Sequence, residues 1–367
     1  MKYYIIAGEA SGDLHGSNLV KELKKTDAGA DIRCWGGELM QAAGAHLVKH
    51  YRELAFMGFI EVVMNLRTIF RNLSFCKKDI TGFTPDAIIL IDYPGFNLRI
   101  AQWAKAKGFK IIYYISPQVW AWKENRVHTI KKCVDKMLVI LPFEKDFYKK
   151  WNYNVEYVGH PLVEVVDEWQ LQHPHTVKTN IVALLPGSRK QEILKKLPIM
   201  LEVSRHFTDY KFVVAMAPGL DKSFYDTLLS GYTNVKAVTG KTYDLLMQAT
   251  AALVTSGTAT LETALFGVPE VACYKGSAIS YAIAKRVIKI KYISLVNLIM
   301  DKPVVKELIQ HELTVNNVKK ELHELLTGKE RIEQLQEDYS ALKTLLSKGG
   351  HASANAAKAI SSFLQNG

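Results

Sequence analysis

No run of about 18 apolar residues occurs anywhere in the 367-residue chain, so nothing in it reads as a bilayer-spanning helix. The apolar start, MKYYIIA, is short and soon interrupted by Glu9 and Asp13, which excludes a secretory signal peptide. Cysteine is scarce. Cys34, Cys76, Cys133 and Cys273 lie far apart with no CxxC pair, which excludes a disulfide framework and a zinc site and points to a reducing compartment. These absences together predict a cytoplasmic protein. RNP, KH and zinc-finger signatures are missing, so no nucleic-acid partner is expected. The Walker loop and the GxGxxG fingerprint are missing as well.

What is present is the composition of an ordinary globular protein, 48% apolar and 23% charged, at a length that suggests two domains. A net charge of +11 favours an anionic partner, whether nucleotide phosphate, acidic lipid or nucleic acid, and charge alone does not choose among them. Short apolar runs alternate with amphipathic stretches, the pattern of βαβ units around parallel sheets. Strands are predicted at 2–7, 31–35, 86–91, 110–115, 136–140 and 155–158, then at 180–185, 211–216, 234–237, 251–255 and 269–273. Between the halves, VVDEWQLQHPHTVKTN is polar, contains Pro174 and shows neither period. It reads as a linker near 165–178, and His173 and His175, lacking a third ligand, read as part of it rather than as a metal site. The expected fold is α/β: two Rossmann-like, doubly wound domains, 1–168 and 169–345, facing across a ligand-binding cleft.

The first strand is left through IAGEASGDLHG, where Gly8, Gly12 and Gly16 recur every four residues with Glu9, Ser11 and Asp13 among them. Such glycines let the chain turn tightly and let another group approach closely. The stretch is either a plain strand-to-helix turn capped by Ser11 or Asp13, or a polar pocket at a strand's carboxyl end, where open α/β sheets bind ligands. In AIILIDYPGFNLRIA, Asp92 follows a fully apolar strand. A carboxylate there can act as a general base or simply stabilise a turn. SPQVWAWKENRVHTIKK sets Trp120 and Trp122 two apart, either as packing residues or as a wall over a sugar or acyl chain. His160, in YVGHPLVE, either faces the cleft or packs at the domain boundary.

In the second half, VALLPGSRKQEI is a strand, a Pro-Gly turn, and Ser188 and Arg189 at a helix start. Free N–H groups there attract phosphate and the guanidinium can add a charge-assisted pair; a plain Ser188 cap with a solvated Arg189 is the alternative. VTSGTATLETALFGVPEVACY repeats the arrangement. Ser256, Gly257 and Thr258 let the backbone approach a pyrophosphate, and Glu262, one turn inside the helix, can accept hydrogen bonds from a ribose diol. Two such turns in one half favour a nucleotide site there.

In order and spacing, AGEASGD, MGFIEV, PQVWAW, LPFEKDFY, GHPLVE, LLPGSRKQEI, SGTATLE and YISLVNLI closely resemble the lipid-A-disaccharide synthase family, from residue 7 to about 310. The resemblance implies the GT-B glycosyltransferase architecture. It implies transfer of 2,3-diacylglucosamine from UDP-2,3-diacylglucosamine to the 6-hydroxyl of 2,3-diacylglucosamine 1-phosphate, giving a β-1,6 disaccharide and UDP. An α-linked donor and a β product imply inversion by direct displacement. Asp92 is then the candidate base, with Glu9 the second catalytic candidate. Arg189, Ser188 and the backbone at Ser256–Thr258 would offset the charge on departing UDP, and Glu262 would hold the ribose. Asn297 and Glu307, with the basic run Lys285–Lys291, fall on the donor side. Ser11, Asp13, Trp120, Trp122 and His160 fall to the acceptor or the cleft. No DxD-like pair is present, so neither metal nor cofactor is expected. Family members commonly carry a second acid, as in DxPDF; Gly95 stands there in this chain, leaving Asp92 alone. A UDP-sugar 2-epimerase on the same fold, or a non-catalytic membrane-associated binding protein, remains the alternative.

Two segments bear on location and assembly. In LAFMGFIEVVMNLRTIFRNLSFCKK (54–78), Phe56, Met57, Phe59, Ile60, Val63, Leu66, Phe70 and Leu73 recur at helical spacing, with Arg67, Arg71, Lys77 and Lys78 in the second half. A core helix has this pattern, and so does an interfacial one. The acyl chains of the implied substrates favour the latter, and reversible binding to the cytoplasmic leaflet of the inner membrane is predicted. HASANAAKAISSFLQNG is apolar on one face through Ala356, Ala357, Ile360 and Leu364. By resemblance, 346–367 docks back on the N-terminal domain and is exchanged between the subunits of a homodimer.

Overall fold

The computed structural model describes residues 1–54, 66–277, 281 and 291–365. The chain divides into two compact units, Met1–Pro161 with Leu346–Gly367, and Leu162–Leu345. Each is built on a parallel sheet covered by helices.

In the first unit the strands are β1 (Lys2–Ala7), β2 (Asp31–Gly36), β3 (His46–His50), β4 (Ala87–Ile91), β5 (Ile111–Tyr114), β6 (Lys136–Val139) and β7 (Glu156–Tyr157), in the order β3-β2-β1-β4-β5-β6-β7. Tyr3–Ala7, Ala87–Leu90 and Ile111–Tyr114 have no exposed surface. Central strands covered on both faces read as continuous apolar runs, which is why these segments are legible in the sequence. The order reverses between β1 and β4. Ala7 pairs with Ile91 there, so Gly8–Glu9 and Asp92–Tyr93 leave the sheet side by side.

The second unit contains β8 (Ile181–Leu185), β9 (Lys211–Met216), β10 (Val235–Thr239), β11 (Ala251–Thr255), β12 (Glu270–Tyr274) and β13 (Lys306–Ile309), in the order β10-β9-β8-β11-β12-β13. Here the reversal falls between β8 and β11, which pair from Ala251↔Val182 to Val254↔Leu185.

The structure departs from the sequence reading at three places. β3 (HLVKH) and β13 (KELI) were not expected as strands; both are edge strands, largely half-buried or exposed, and need no apolar run. The expected linker near 165–178 is helical as far as Gln172, within the helix Pro161–Gln172. Leu162, Val163 and Val166 bury one face of it, and Trp169 packs edge-on against Tyr243 with centroids 5.5 Å apart. His173 stacks on Trp169 at 4.6 Å.

The last helix, Ala352–Gln365, buries Ala352, Ala356, Ala357 and Ile360 and packs on the first helix, Ala10–Thr26. Asn355 Nδ2 donates to the carbonyls of Val158 (3.1 Å) and Gly349, and Tyr157 donates to Leu346 O (3.2 Å). Among the described residues no helix is long and apolar enough to cross a membrane.

Candidate active site

At the reversal of the first sheet the backbone is strained. Asp92 and Tyr93 both stand in the left-handed region, with φ of +42° and +48°, a conformation costing about 1–2 kcal/mol per residue for L side chains. Such strain persists only where the surroundings over-determine it. Tyr93 turns its ring over Gly8, whose Cα has no room for a side chain: a Cβ there would stand 2.4 Å from Tyr93 Cγ. A Cβ on Gly12 would meet Ala7 Cβ at 3.0 Å, and one on Gly16 would meet Met40 Sδ at 2.6 Å. The three evenly spaced glycines are thus explained by close packing. Asp92 opens to solvent on one side. Dry packing on the other, with repulsion from the Glu9 carboxylate, raises its carboxyl to about 7. Glu9 is half-buried at the N-cap position of the first helix, and Ser11 is exposed in that helix's first turn.

Three residues assigned to the acceptor or the cleft are buried. Asp13, 2% exposed, accepts hydrogen bonds from the backbone N–H groups of Gly37 (2.7 Å), Leu39 (3.1 Å) and Met40 (3.1 Å). Its carboxylate caps the short helix Glu38–Ala42 and ties the first helix to it. His160 is buried, as is His15; burial lowers His15 to about 4, and burial with repulsion from His15 lowers His160 to about 3. Trp120 is buried edge-on against Phe143, centroids 5.0 Å apart. Each belongs to the packing. The Trp122 side chain lies outside what is described, as do Phe56, Met57, Phe59, Ile60, Val63 and Lys285.

At the reversal of the second sheet, two helix N-termini follow the adjacent strands β8 and β11. Gly187 turns the first with φ +117°. Arg189 is the N-cap of the helix Lys190–Ser204, and Ser188 and Arg189 are both exposed. The guanidinium lies 3.5 Å from Glu192 Oε1. Gly257, φ +144°, starts the helix Thr258–Leu265. The first N–H groups of a helix have no intrahelical acceptor and present partial positive charge. Glu262, half-buried, accepts from the Tyr243 hydroxyl (3.1 Å), and burial pushes its carboxyl up to about 7 against that hydrogen bond.

Asn297, expected on the donor side, is internal. Fully enclosed, it donates to Val305 O (2.9 Å) and Glu307 Oε1 (3.0 Å) and accepts from Val305 N (2.8 Å). Glu307 accepts in turn from Ile293 N and Ser294 N (3.1 and 2.9 Å), and the Ser256 hydroxyl donates to Ile293 O (2.7 Å). YISLVNLI, which enters the helix Leu295–Met300 at Ser294, is therefore tied to the Ser256 turn. Among the described residues no group of three His, Cys, Asp or Glu side chains could hold a metal ion.

A model of the family described as "Lipid-A-disaccharide synthetase" matches residues 3–362. The chain belongs to this family. It is 40% identical to the lipid-A-disaccharide synthase of Syntrophus aciditrophicus (strain SB), across 97% of this chain and 96% of that protein. It is 38% identical to that of Geobacter metallireducens (strain ATCC 53774 / DSM 7210 / GS-15), across 94% and 93%. Membership makes it a glycosyltransferase. Among solved structures, UDP-GlcNAc 2-epimerase from Neisseria meningitidis bound to UDP-GlcNAc is similar with a TM-score of 0.67 at 13% identity, over 100% of both chains. The glycotransferase of kitacinnamycin is similar with a TM-score of 0.69 at 15% identity, over 99% of both. These two likenesses establish the fold, two Rossmann-like sheets of the GT-B class, and carry nothing about substrate.

Proposed function

We propose that this family member transfers 2,3-diacylglucosamine from its UDP derivative to the 6-hydroxyl of 2,3-diacylglucosamine 1-phosphate, with inversion at the anomeric carbon. One observation carries the reading: the candidate residues of both units leave the sheets at the point where strand order reverses, the position at which open α/β sheets bind ligands. Asp92 takes the proton of the acceptor hydroxyl as its oxygen forms the new bond to C1, while the C1–O bond to UDP breaks on the opposite face. A carboxyl raised to about 7 is suited to accept a proton at neutral pH. Arg189 and the amides that open the helix Thr258–Leu265 offset the charge growing on UDP, and Glu262 accepts from the ribose diol. Glu9 and Ser11 flank Asp92 on the acceptor side.

The same reading brings the protein to the cytoplasmic leaflet, where both acylated substrates reside. The helix Leu66–Phe83 supports this: Leu73 and Ile80 are buried, whereas Phe70 (58%) and Phe75 (45%) are exposed beside exposed Arg67, Arg71 and Lys78. Apolar groups among cations suit an anionic lipid surface. We also propose a homodimer that exchanges the last helix; sedimentation showing only a 41.3 kDa species at micromolar protein would refute it.

The deciding experiment is Asp92→Asn, assayed with both lipid substrates and titrated with UDP. Loss of a general base lowers turnover by about 10²–10⁴ with UDP affinity retained. Turnover within a few-fold of the parent would remove Asp92 from the mechanism. Consumption of UDP-GlcNAc without an acceptor would favour the epimerase instead.

A further inference from the structure

Beneath Asp92, two buried donors converge on its main chain. Asn97, with no exposed surface, reaches back from the helix Pro94–Ala106. Its Nδ2 donates to Asp92 O (2.8 Å) and Ile91 O (3.1 Å) and lies 3.4 Å from Ile6 O. Tyr113 on β5, equally enclosed, donates its hydroxyl to the same Asp92 carbonyl at 2.5 Å. Asp92 N donates to Ile115 O (3.1 Å). One amide therefore bridges the ends of β1 and β4, and a neighbouring strand supplies a second donor to the peptide that leaves β4.

We propose that Asn97 and Tyr113 are positioning residues that hold Asp92 in its left-handed conformation and so aim its carboxylate. The inference rests on the reading of Asp92 as the base. An aspartate freed from restraint leaves φ +42° for the right-handed or extended regions, because the left-handed region is unfavourable for L residues. Rotation about the N–Cα bond carries the carbonyl carbon and Cβ round together, so holding the carbonyl while Ile115 O holds the Asp92 N–H also holds the direction in which the side chain departs. Two donors on one carbonyl, one from the following helix and one from a neighbouring strand, leave that carbonyl a single direction. A displacement of about 1 Å at a reacting group reduces rate by about 10², so the clamp is large enough to matter to turnover.

A purely stabilising role makes a different prediction, and Tyr113→Phe separates the two. It removes one hydroxyl and keeps the ring in the core. Turnover, acceptor KM, UDP affinity and melting temperature are measured for Tyr113→Phe and Asn97→Ala, each alone and combined with Asp92→Asn. Positioning predicts a fall in kcat of about 10- to 100-fold, with KM and UDP affinity within about twofold. It also predicts no further loss when the variants are added to Asp92→Asn, since residues acting through one group are not additive. Should Asn97→Ala fail to fold, Tyr113→Phe decides alone. A Tyr113→Phe enzyme with unchanged kcat, or one losing the same factor in the Asp92→Asn background, overturns the proposal. Full turnover by Asp92→Asn itself removes the base and the inference together, whereas an inactive Asp92→Asn beside a fully active Tyr113→Phe removes the inference alone.

Discussion

Gly8→Ala places one methyl group where the structure has none to spare. The added Cβ would stand 2.4 Å from Tyr93 Cγ and 2.5 and 2.6 Å from its two Cδ atoms, against an ordinary carbon–carbon contact of about 3.5–4.0 Å. The ring must withdraw by about 1 Å or more. Cγ is the root of the ring, so rotation of the ring about its own axis gives no relief, and the movement passes to the Tyr93 backbone and hence to Asp92. Overpacking of this kind costs about 1–3 kcal/mol. Taking about 2 kcal/mol, and about 2–4 °C per kcal/mol for a unit of 150–250 residues, the first unit should melt about 4–8 °C lower. The same 1 Å displacement should reduce turnover by about 10². Calorimetry reads the first effect and a two-substrate lipid assay the second. UDP affinity serves as the internal control, because the residues proposed to bind UDP belong to the other unit. A Gly8→Ala protein with parental melting temperature and turnover would show that Tyr93 yields freely and that the turn does not hold Asp92.

Further predictions concern the donor and the membrane. Arg189→Ala removes a hydrogen bond to a charged group, worth about 1.5–3 kcal/mol, and should weaken UDP by about 10- to 100-fold in calorimetric titration. Because burial raises Glu262 to about 7, it is partly protonated in the free protein near neutrality. The ionised carboxylate is the better acceptor, so UDP should bind more tightly as pH rises through 7. Glu262→Gln should remove that component of the pH dependence, and identical slopes in variant and parent would exclude the ribose contact. Replacing Phe56, Met57 and Phe59 together with serine should reduce sedimentation with anionic vesicles and turnover on lipid while sparing UDP affinity; an unfolded triple variant would mean the segment is core.

The parts of this fold that are legible in the sequence are those buried on both faces. IIA of β1, AIILI of β4 and AALVT of β11 are apolar because helices cover them, and the turns that follow inherit their visibility. HLVKH and KELI escape notice because an edge strand keeps one flank in solvent and tolerates lysine and histidine. The helix Pro161–Gln172 is hidden by the polar residues that follow it, although Leu162, Val163 and Val166 are properly spaced. Among the candidate residues, Asp92 directly follows β4, Arg189 caps the helix after β8, and Glu262 lies in the first turns of the helix after β11. Asp13, His160 and Trp120 lie among equally suggestive neighbours and are nonetheless internal, since sequence shows where a polar or aromatic group stands and not which way it turns. Asn97 and Tyr113 carry no local signature at all. Their significance depends on β1, β4 and β5 lying next to one another, a relation created only by the topology.

The first unit is assembled from the two ends of the chain, Met1–Pro161 and Leu346–Gly367, and this sets an order for its manufacture. A ribosome completes Leu162–Leu345 while the first helix still lacks the helix that covers it. The alanine-rich face of Ala352–Gln365 reaches that helix only afterwards. During translation, then, the half that carries Asp92 must wait, partly uncovered, while the later-made half already has all of its sequence. A lesion that removes residues after 345 would injure the unit encoded first, and a nascent chain stalled there would expose the flank of Ala10–Thr26 to chaperones and proteases.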